Sequence, residues 1–541
     1  MIERYHLNYL IVLFIGLDRL LNKTSSSEIN QKTSKSNNIQ VDFIVIGGGT
    51  AGCIVAARLA EYGYETLLLS SGMNETLNPI LREKASFSKM FELFHLKHYL
   101  PAEPSFNLNN RTLDIHVWNT LGGSSINSGG IQRMTSNDWN YFVDATNDSS
   151  YDHNQMAQYY QMAENFTSNR PELIRKHHGT RGPLKITHMY NDEIANHWKN
   201  IAKELNEPFT DEFSNEIDYG FSFEATSFSN GIRSWSADAY LRPALAKYPN
   251  LKVITGATVI KLDVDEITKQ IQNVLFVSKN GLFMANARNE YILSAGAFYS
   301  PHLLMLSGIG DPEILSKHDI PIKHSLKHVG KNLNDNGGIN MIYKTENISF
   351  HETIPVALIN TQHSTNHTNS NAFLIFKMNN QTNTLSVFTV NASPTSTIGS
   401  ISLYNANPLV PPRIQLDYLT NRNDLETIVS SIRYVRRILM TETFRKSYGK
   451  LIEISPGINE TDLYKFVRNN LRPTPHFMGT CSMGRNAQTS VVNNKFQVHG
   501  IKNLRIVDAS IFPANLTSKT GPFFTIHALA EKAAHLLQNN T

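Results

Sequence analysis

The chain has 541 residues, too many for a single hydrophobic core, so we expect two or more domains. Its apolar content of 41% and charged content of 18% are those of a globular protein and exclude an intrinsically disordered one. The 50 basic and 46 acidic residues nearly cancel, so we expect no nucleic-acid partner. The two cysteines, Cys53 and Cys481, follow no metal-ligand spacing, and we expect no bound metal.

The N-terminal segment is typical of a secretory signal. Residues 9–17 form an apolar run that is too short to span a bilayer, so residues 1–21 are a possible signal peptide, although no clear cleavage site comes after them. Residues 22–40 are polar and of low complexity, as in a flexible leader. We therefore expect a secreted protein without a stable membrane span.

Glycosylation sequons add modest support for secretion. Twelve Asn-x-Ser/Thr sequons occur in the sequence, among them Asn110, Asn165, Asn347 and Asn459. Because the chain is rich in asparagine, many of these sequons would arise by chance. The expectation is an extracellular glycoprotein.

A glycine-rich turn near the start of the chain is its main organising element. The apolar, β-branched run from Val41 to Ile46 predicts a strand buried in a parallel sheet. Gly47, Gly49 and Gly52 then have the G-x-G-x-x-G spacing, and a segment with helical periodicity comes after them. In this context the glycines predict a tight turn, close approach of a pyrophosphate and close helix–strand packing. We favour dinucleotide binding, with phosphates at the helix N-terminus, over a purely structural turn.

One element of the dinucleotide motif is missing. An acidic residue is expected about 20 residues after the glycines, where it would hold the adenosine ribose. The second strand, residues 65–69, instead ends at Ser70. A serine hydroxyl can hydrogen-bond a ribose without the extra strength of a charged acceptor. The alternative is that Ser70 merely ends the strand.

The rest of the chain alternates between segments typical of a parallel sheet and segments typical of an antiparallel one. A glycine-serine turn covers residues 119–128. Helix-like patterns cover residues 139–166, 425–439 and 523–538, and strand-like patterns cover residues 182–186, 221–227, 250–264, 290–296 and 504–507.

Several of these segments resemble the motifs of one family. Residues 296–310 read GAFYSPHLLMLSGIG and resemble the second signature of the glucose–methanol–choline (GMC) oxidoreductases. Residues 121–127, LGGSSIN, are similar to the first signature of that family. The turn at residues 47–52 and the segments 476–480 and 504–510 occur in the family's order. The resemblance runs from about residue 41 to the C-terminus.

The resemblance implies an α/β protein in which a Rossmann-type FAD-binding domain is interleaved with an α+β substrate domain built on an antiparallel sheet. It assigns residues 41–146, 228–336 and 465–541 to the FAD-binding domain. Residues 147–227 and 337–464 would form the substrate-binding domain. FAD is the implied cofactor, bound non-covalently, and a small-molecule alcohol is the implied substrate.

The resemblance also carries site residues over to this chain. His476 corresponds to the base that faces the flavin N5, Val259 to the residue whose backbone pairs with adenine, and Asp508 to the acidic residue near the ribityl chain. The implied FAD-binding residues are Gly47, Gly49, Thr50, Ala51, Gly52, Ser70, Leu121, Gly122, Gly123, Ser124, Asn127, Val259, Asp508, Ala509, Pro522 and Phe523.

This chain departs from the family pattern at two further positions. Trp118 stands where the first signature begins with a small residue, and Gly521 stands where a second catalytic His or Asn is expected. If Gly521 marks a lost partner of His476, then Gly521→Asn should raise activity. The alternative is that position 521 needs a positive φ or a close approach that only glycine allows.

These observations leave three functions open. The first is an FAD-dependent alcohol oxidase or dehydrogenase with His476 as the base and oxygen or a quinone as the electron acceptor. The second is a hydroxynitrile lyase-like enzyme, a reaction without net redox that uses the same histidine. The third is a catalytically inactive secreted member that acts by binding, suggested by Ser70, Trp118 and Gly521 together. The sequence does not identify the alcohol.

Overall fold

A computed structural model describes residues 38–75, 78–83, 93–127, 129–213, 219–345, 350, 353–361, 370–379, 382–395, 399–457, 459–514, 516, 519 and 521–539. The predicted signal peptide, residues 1–21, and residues 22–37 of the predicted leader lie outside the described residues. The first strand begins at Asn38, three residues before the predicted boundary of the FAD-binding domain. Within the described part of the chain, no helix combines the length and apolar character that a membrane span requires.

The strands are β1 (Asn38–Ile46), β2 (Thr66–Ser70), β3 (Lys97–Pro101), β4 (Asp114–Trp118), β5 (Gly130–Ile131), β6 (Glu164–Ser168), β7 (Leu184–His188), β8 (Gly220–Phe223), β9 (Ala225–Thr226), β10 (Phe228–Ser229), β11 (Ile232–Arg233), β12 (Leu251–Thr255), β13 (Thr258–Val264), β14 (Ile271–Ser278), β15 (Gly281–Leu293), β16 (Ile309–Gly310), β17 (His324–Ser325), β18 (Gly337–Lys344), β19 (Pro355–Ile359), β20 (Ala372–Asn379), β21 (Thr384–Asn391), β22 (Gly399–Ser402), β23 (Arg413–Leu416), β24 (Ile452–Ser455), β25 (Arg472–Pro473) and β26 (Leu504–Ile506). The α-helices are α1 (Thr50–Glu61), α2 (Pro79–Arg82), α3 (Ser136–Thr146), α4 (His153–Ala163), α5 (Pro171–His177), α6 (Asp192–Glu204), α7 (Arg242–Lys247), α8 (Gly296–Leu306), α9 (Pro312–Lys317), α10 (Arg422–Met440), α11 (Glu442–Tyr448), α12 (Leu463–Asn470) and α13 (Phe523–Asn539).

The first large sheet contains the predicted dinucleotide-binding strand. Its order is β12-β2-β1-β15-β14-β13, and β26 pairs with β15. Strands β12, β2, β1, β15 and β26 run parallel, whereas β13 and β14 add an antiparallel extension. Strand β1 lies between two parallel neighbours, and Phe43, Ile44 and Val45 are fully buried, as its continuous apolar pattern predicts.

The second large sheet is antiparallel and has the order β24-β18-β21-β20-β19-β8, with β25 on β18. Strand β8 comes from residues 220–223, whereas β18, β19, β20, β21 and β24 all come from residues 337–455. Strand β25 belongs to this sheet although it lies after the predicted domain boundary at residue 464. The mixed α/β architecture, with a parallel Rossmann-like part and a separate antiparallel sheet, confirms the predicted fold class.

The helix-like segment 139–166 contains two helices and a strand. Helix α3 ends at Thr146 and is capped by Asn147, which has a φ of 56° and so takes the left-handed conformation that closes many helices. Asp152 then caps α4, because its side chain accepts a hydrogen bond from the N–H of Gln155. The polar residues between the two helices, rather than the apolar periodicity, therefore decide where the chain turns.

A partly buried ion pair joins the first helix of the dinucleotide motif to the last helix of the chain. The guanidinium of Arg58 in α1 donates two hydrogen bonds of 2.8 Å to the carboxylate of Glu531 in α13. The hydroxyl of Tyr240 donates a third hydrogen bond to Glu531. This bidentate pair fixes α13 against α1, and so places the start of α13 beside the glycine-rich turn.

Candidate active site

A cavity of ≈ 300 Å³ opens at the carboxyl ends of the parallel strands. This is the edge of an open α/β sheet where ligands generally bind. Of the residues predicted to bind FAD, Gly47, Gly49, Thr50, Ala51, Ser70, Gly123, Ser124, Val259, Asp508, Ala509 and Pro522 line this cavity. Gly52, Leu121, Gly122 and Phe523 do not line it but adjoin residues that do. Asn127 does not line it either, but its N–H donates a hydrogen bond of 3.1 Å to the carbonyl oxygen of Ser124, which does.

The three glycines of the turn have different physical roles. A Cβ at Gly47, whose φ is 104°, would lie 2.4 Å from the carbonyl oxygen of Ser294, and a Cβ at Gly52 would lie 1.9 Å from that of Gly47. The fold itself therefore requires these two glycines. A Cβ at Gly49 would meet only the Ser294 oxygen at 3.6 Å among the described residues, an ordinary contact. The protein has room for a side chain at 49, so glycine there fits the close approach of a ligand.

Ser70 lies at the end of β2, as predicted, and its hydroxyl is engaged within the turn. The Oγ accepts a hydrogen bond of 3.2 Å from the N–H of Gly72. It also occupies the space that a Cβ at Gly48 would fill, at 2.8 Å. Ser70 is thus part of the packing of the glycine-rich turn as well as of the cavity wall.

Asp508 ties the end of β26 to the N-terminus of α8. Its carboxylate accepts hydrogen bonds from the N–H of Gly296 at 2.8 Å, the hydroxyl of Ser300 at 2.6 Å and the N–H of Ser510 at 2.8 Å. Burial raises the pKa of Asp508. The two distant sequence motifs therefore meet at this carboxylate, which stands on the cavity wall.

The loop 121–127 contributes Gly123 and Ser124 to the cavity wall. Gly122 has a φ of 91°, and a Cβ there would lie 2.5 Å from Cδ1 of Trp235. The amide oxygen of Asn127 is buried and has no hydrogen-bond partner among the described residues. Such an unsatisfied buried acceptor suits a hydrogen-bond donor of a ligand. Trp118, the unexpected large residue, is buried in the cavity wall under the ammonium of Lys97, which lies 4.8 Å from its ring centroid.

These observations together fit FAD. The open space at Gly49, the uncapped start of α1 without an acidic residue in its first turn, and the unsatisfied oxygen of Asn127 are the features that a dinucleotide with a polar ring system requires. Thr50 and Ala51 begin α1 and would present their N–H groups to the pyrophosphate. Val259 would offer its backbone to adenine.

His476 packs against Gly521. A Cβ at Gly521 would lie 2.8 Å from Cε1 and 2.9 Å from Nε2 of the imidazole, and the φ of Gly521 is 97°. This geometry favours the alternative interpretation of position 521, in which the backbone and the histidine both require glycine. An asparagine there would displace the imidazole rather than hydrogen-bond with it, so the expected gain from Gly521→Asn is not supported.

The environment of His476 keeps its imidazole neutral. Burial lowers the pKa of His476 to about 4. The predicted catalytic residues His476 and Gly521 are not among the residues that line the cavity, whereas Pro475 and Phe477, the chain neighbours of His476, both line it. His527, by contrast, is held on α13 by Ser236 and by the carbonyl oxygen of Phe523, each about 3 Å from a ring nitrogen.

Sequence reasoning missed the carboxylate that supports the histidine segment. The N–H of His476 donates a hydrogen bond of 2.5 Å to the carboxylate of Asp335, which is fully buried. Asp335 precedes His476 by 141 residues and belongs to no motif that the sequence analysis recognised. The only signal in the sequence was an aspartate within the polar run NLNDN, and nothing local indicates its partner.

Family models for the N-terminal and C-terminal parts of GMC oxidoreductases match residues 41–336 and 394–530. The chain belongs to the GMC oxidoreductase family. It is 28% identical to a glucose dehydrogenase [FAD, quinone] of Drosophila melanogaster, with 92% of this chain and 87% of the relative covered. It is also 28% identical to an alcohol dehydrogenase [acceptor] of Pseudomonas putida, covering 92% of this chain and 95% of that relative.

Solved structures share the fold. A pyridoxine 4-oxidase from Mesorbium loti superposes with a TM-score of 0.81 at 24% identity, covering 91% of this chain and 98% of the other. A formate oxidase superposes with a TM-score of 0.83 at 21% identity, covering 93% and 99%. The predicted family, fold class and FAD cofactor are confirmed. This GMC protein is an FAD-dependent oxidoreductase that acts on alcohols or similar donors.

Proposed function

We propose that the protein oxidises the CH–OH group of a small alcohol and that His476 is the general base. Bound FAD would supply the acceptor for the hydride at its N5. The residues described above would hold the cofactor, with the pyrophosphate at Gly49, Thr50 and Ala51. The chain's own contribution to the chemistry is then to place the alcohol and to remove its hydroxyl proton.

The observation that carries this proposal is the neutral imidazole of His476 beside the cavity-lining residues Pro475 and Phe477. Burial lowers the pKa of its imidazole to about 4, which keeps the ring neutral, and its chain neighbours Pro475 and Phe477 line the cavity, although His476 itself is not among the lining residues. A neutral imidazole can accept the hydroxyl proton as the carbon–hydrogen bond breaks. Gly521 leaves the space in which the ring lies.

The electron acceptor is proposed to be oxygen or a quinone. The names of the relatives include quinone-linked, oxygen-dependent and unspecified-acceptor dehydrogenases. Because the relatives' names differ in the acceptor they give, they support both oxygen and a quinone as acceptors for this chain. Reoxidation of the reduced protein by air and by a soluble quinone, measured side by side, would distinguish them.

The two alternative functions lose their main support. The hydroxynitrile lyase-like hypothesis rested on the unusual residue at position 521, and the inactive one on Ser70, Trp118 and Gly521 together. The packing of His476 against Gly521 gives this glycine a structural reason. Ser70 and Trp118 are likewise accommodated in the cavity wall.

The experiment is anaerobic mixing of the purified FAD-bound protein with a panel of alcohols. The panel is choline, glucose, benzyl alcohol and butan-1-ol. Bleaching of the yellow flavin band by at least one alcohol is expected. A yellow protein that no alcohol bleaches but that cleaves a cyanohydrin would support the lyase, and a colourless protein would support the inactive member.

A further inference from the structure

We infer that Asp335 is a positioning residue for catalysis: its carboxylate fixes the backbone of the segment that carries His476. This inference rests on the proposed role of His476 as the base. Asp335 does not line the cavity, so it would act through the histidine segment and not on the alcohol.

Four hydrogen-bond donors converge on the Asp335 carboxylate. One oxygen accepts from the hydroxyl of Tyr418 at 2.5 Å and from the N–H of Thr474 at 3.1 Å. The other accepts from the hydroxyl of Thr474 at 3.0 Å and from the N–H of His476 at 2.5 Å. Asp335 thus contacts both residues that flank Pro475.

Backbone hydrogen bonds continue the same contact on either side. Asn334 and Met478 exchange two hydrogen bonds of 2.9 Å, and the N–H of Thr474 donates one of 3.0 Å to the carbonyl oxygen of Asn336. The two segments therefore run as a short antiparallel pair with His476 at its centre. His476 lies between these backbone hydrogen bonds, at Thr474 and Met478, and the Asp335 carboxylate holds it there.

The chemistry of the donors explains why this position needs a carboxylate. All four groups donate, and an ionised aspartate offers acceptor sites on both oxygens. An asparagine would turn an NH₂ group toward two of the donors and would leave them unsatisfied in the interior. Burial raises the pKa of Asp335 to about 6, so the carboxylate is mainly ionised at neutral pH.

Together with Gly521, this contact fixes the base from two sides. Gly521 provides the space for the imidazole, and Asp335 holds the peptide to which the imidazole is attached. A displacement of about 1 Å in a catalytic group can lower a rate about 100-fold. Loss of the Asp335 contact should therefore slow proton removal without removing the base.

The test is Asp335→Asn in the FAD-bound full-length protein. We expect an unchanged flavin spectrum, faster deuterium exchange in the peptide covering residues 472–478, and a flavin-reduction rate constant about 10- to 100-fold lower. The alcohol is the member of the panel that reduces the wild-type flavin fastest. The apparent dissociation constant for that alcohol should change much less than the rate constant.

Asp424→Asn is the matched control. Asp424 is another buried carboxylate, and it accepts hydrogen bonds from the side chain of Asn391 and from the N–H of Thr395, each at 3.0 Å. It holds a different segment, around Asn391 and Thr395, and does not line the cavity. This substitution should lower the melting temperature but leave the rate of flavin reduction unchanged.

A milder variant keeps the test valid if Asp335→Asn does not fold. Thr474→Val removes one hydroxyl donor and keeps the hydrogen bond of His476, so a several-fold smaller rate constant is expected. Unchanged reduction in whichever variants fold, despite faster exchange in residues 472–478, would overturn the inference. If His476→Ala itself reduced normally, the proposed function would fail instead, which separates the two outcomes.

Discussion

The imidazole of His476 occupies the space that a side chain at Gly521 would fill. A Cβ at position 521 would lie 2.9 Å from Nε2 of the histidine, and the φ of 97° already disfavours any other residue. Gly521 therefore provides the space that the His476 imidazole occupies, whereas the sequence alone suggested a missing catalytic partner.

Gly521→Ala should thus damage the site, and Gly521→Asn should not improve it. We expect at least a roughly tenfold slower flavin reduction for either variant, because the new Cβ must displace His476. Gly63→Ala is the control, since Gly63 has a similar φ of 96° but no described atom within 4 Å of its Cβ position. Both alanine variants should lose about 1–2 kcal/mol of unfolding free energy from the backbone strain. Faster reduction by Gly521→Asn would show that a lost partner, and not space, is the important feature.

Alanine substitutions at two glycines of the turn should affect FAD binding and folding separately. Gly49→Ala should leave the melting temperature of the FAD-free protein unchanged but weaken FAD binding, because only a ligand needs the space at position 49. Gly52→Ala should destabilise the FAD-free protein itself, since its Cβ would meet the Gly47 oxygen at 1.9 Å. Thermal melting and flavin-fluorescence titration measure the two effects. Normal FAD affinity in Gly49→Ala would contradict the placement of the pyrophosphate.

The pH dependence of flavin reduction should reflect the lowered pKa of the base. The imidazole of His476 must be unprotonated to accept a proton, and its pKa is lowered to about 4. The reduction rate constant should therefore be constant above about pH 6 and fall as the pH drops toward 4. Stopped-flow reduction across this range measures the profile. A fall centred near 6.5, the ordinary value for histidine, would show that the base is solvated.

We also propose that the protein is secreted and glycosylated. The sequons at Asn110, Asn147 and Asn459 lie on exposed asparagines, whereas Asn391 is 3% exposed. Expression in a eukaryotic secretory host should give protein in the medium, with glycans mapped to the exposed asparagines and none at Asn391. An unmodified chain that stays in the cytosol would contradict this proposal.

The fold was predictable because its motifs are local. The apolar run before Gly47, the glycine spacing and the helix after it specify a strand, a turn and a helix within about 20 residues. The split of residues 139–166 into two helices was not predicted, because the left-handed Asn147 and the cap Asp152 interrupt a segment whose apolar periodicity continues.

The site residues that lie within a sequence motif could be predicted. Those whose role depends on a contact with a distant part of the chain could not. His476 and Asp508 stand in recognisable segments, and Asp508 lies on the cavity wall as expected. The meaning of Gly521 depends on where the His476 ring lies, and the role of Asp335 depends on a hydrogen bond across 141 residues. Neither distance can be read from sequence spacing.

The central claim is that His476 is the base of an alcohol oxidation, and anaerobic stopped-flow reduction of the His476→Ala variant tests it most directly. His499→Ala, at a half-buried histidine that hydrogen-bonds Ser490, is the control and should reduce normally. We predict that His476→Ala keeps its bound FAD and the wild-type flavin spectrum but is reduced about 10²- to 10⁴-fold more slowly. A His476→Ala protein that binds FAD and is reduced at the wild-type rate would contradict the claim.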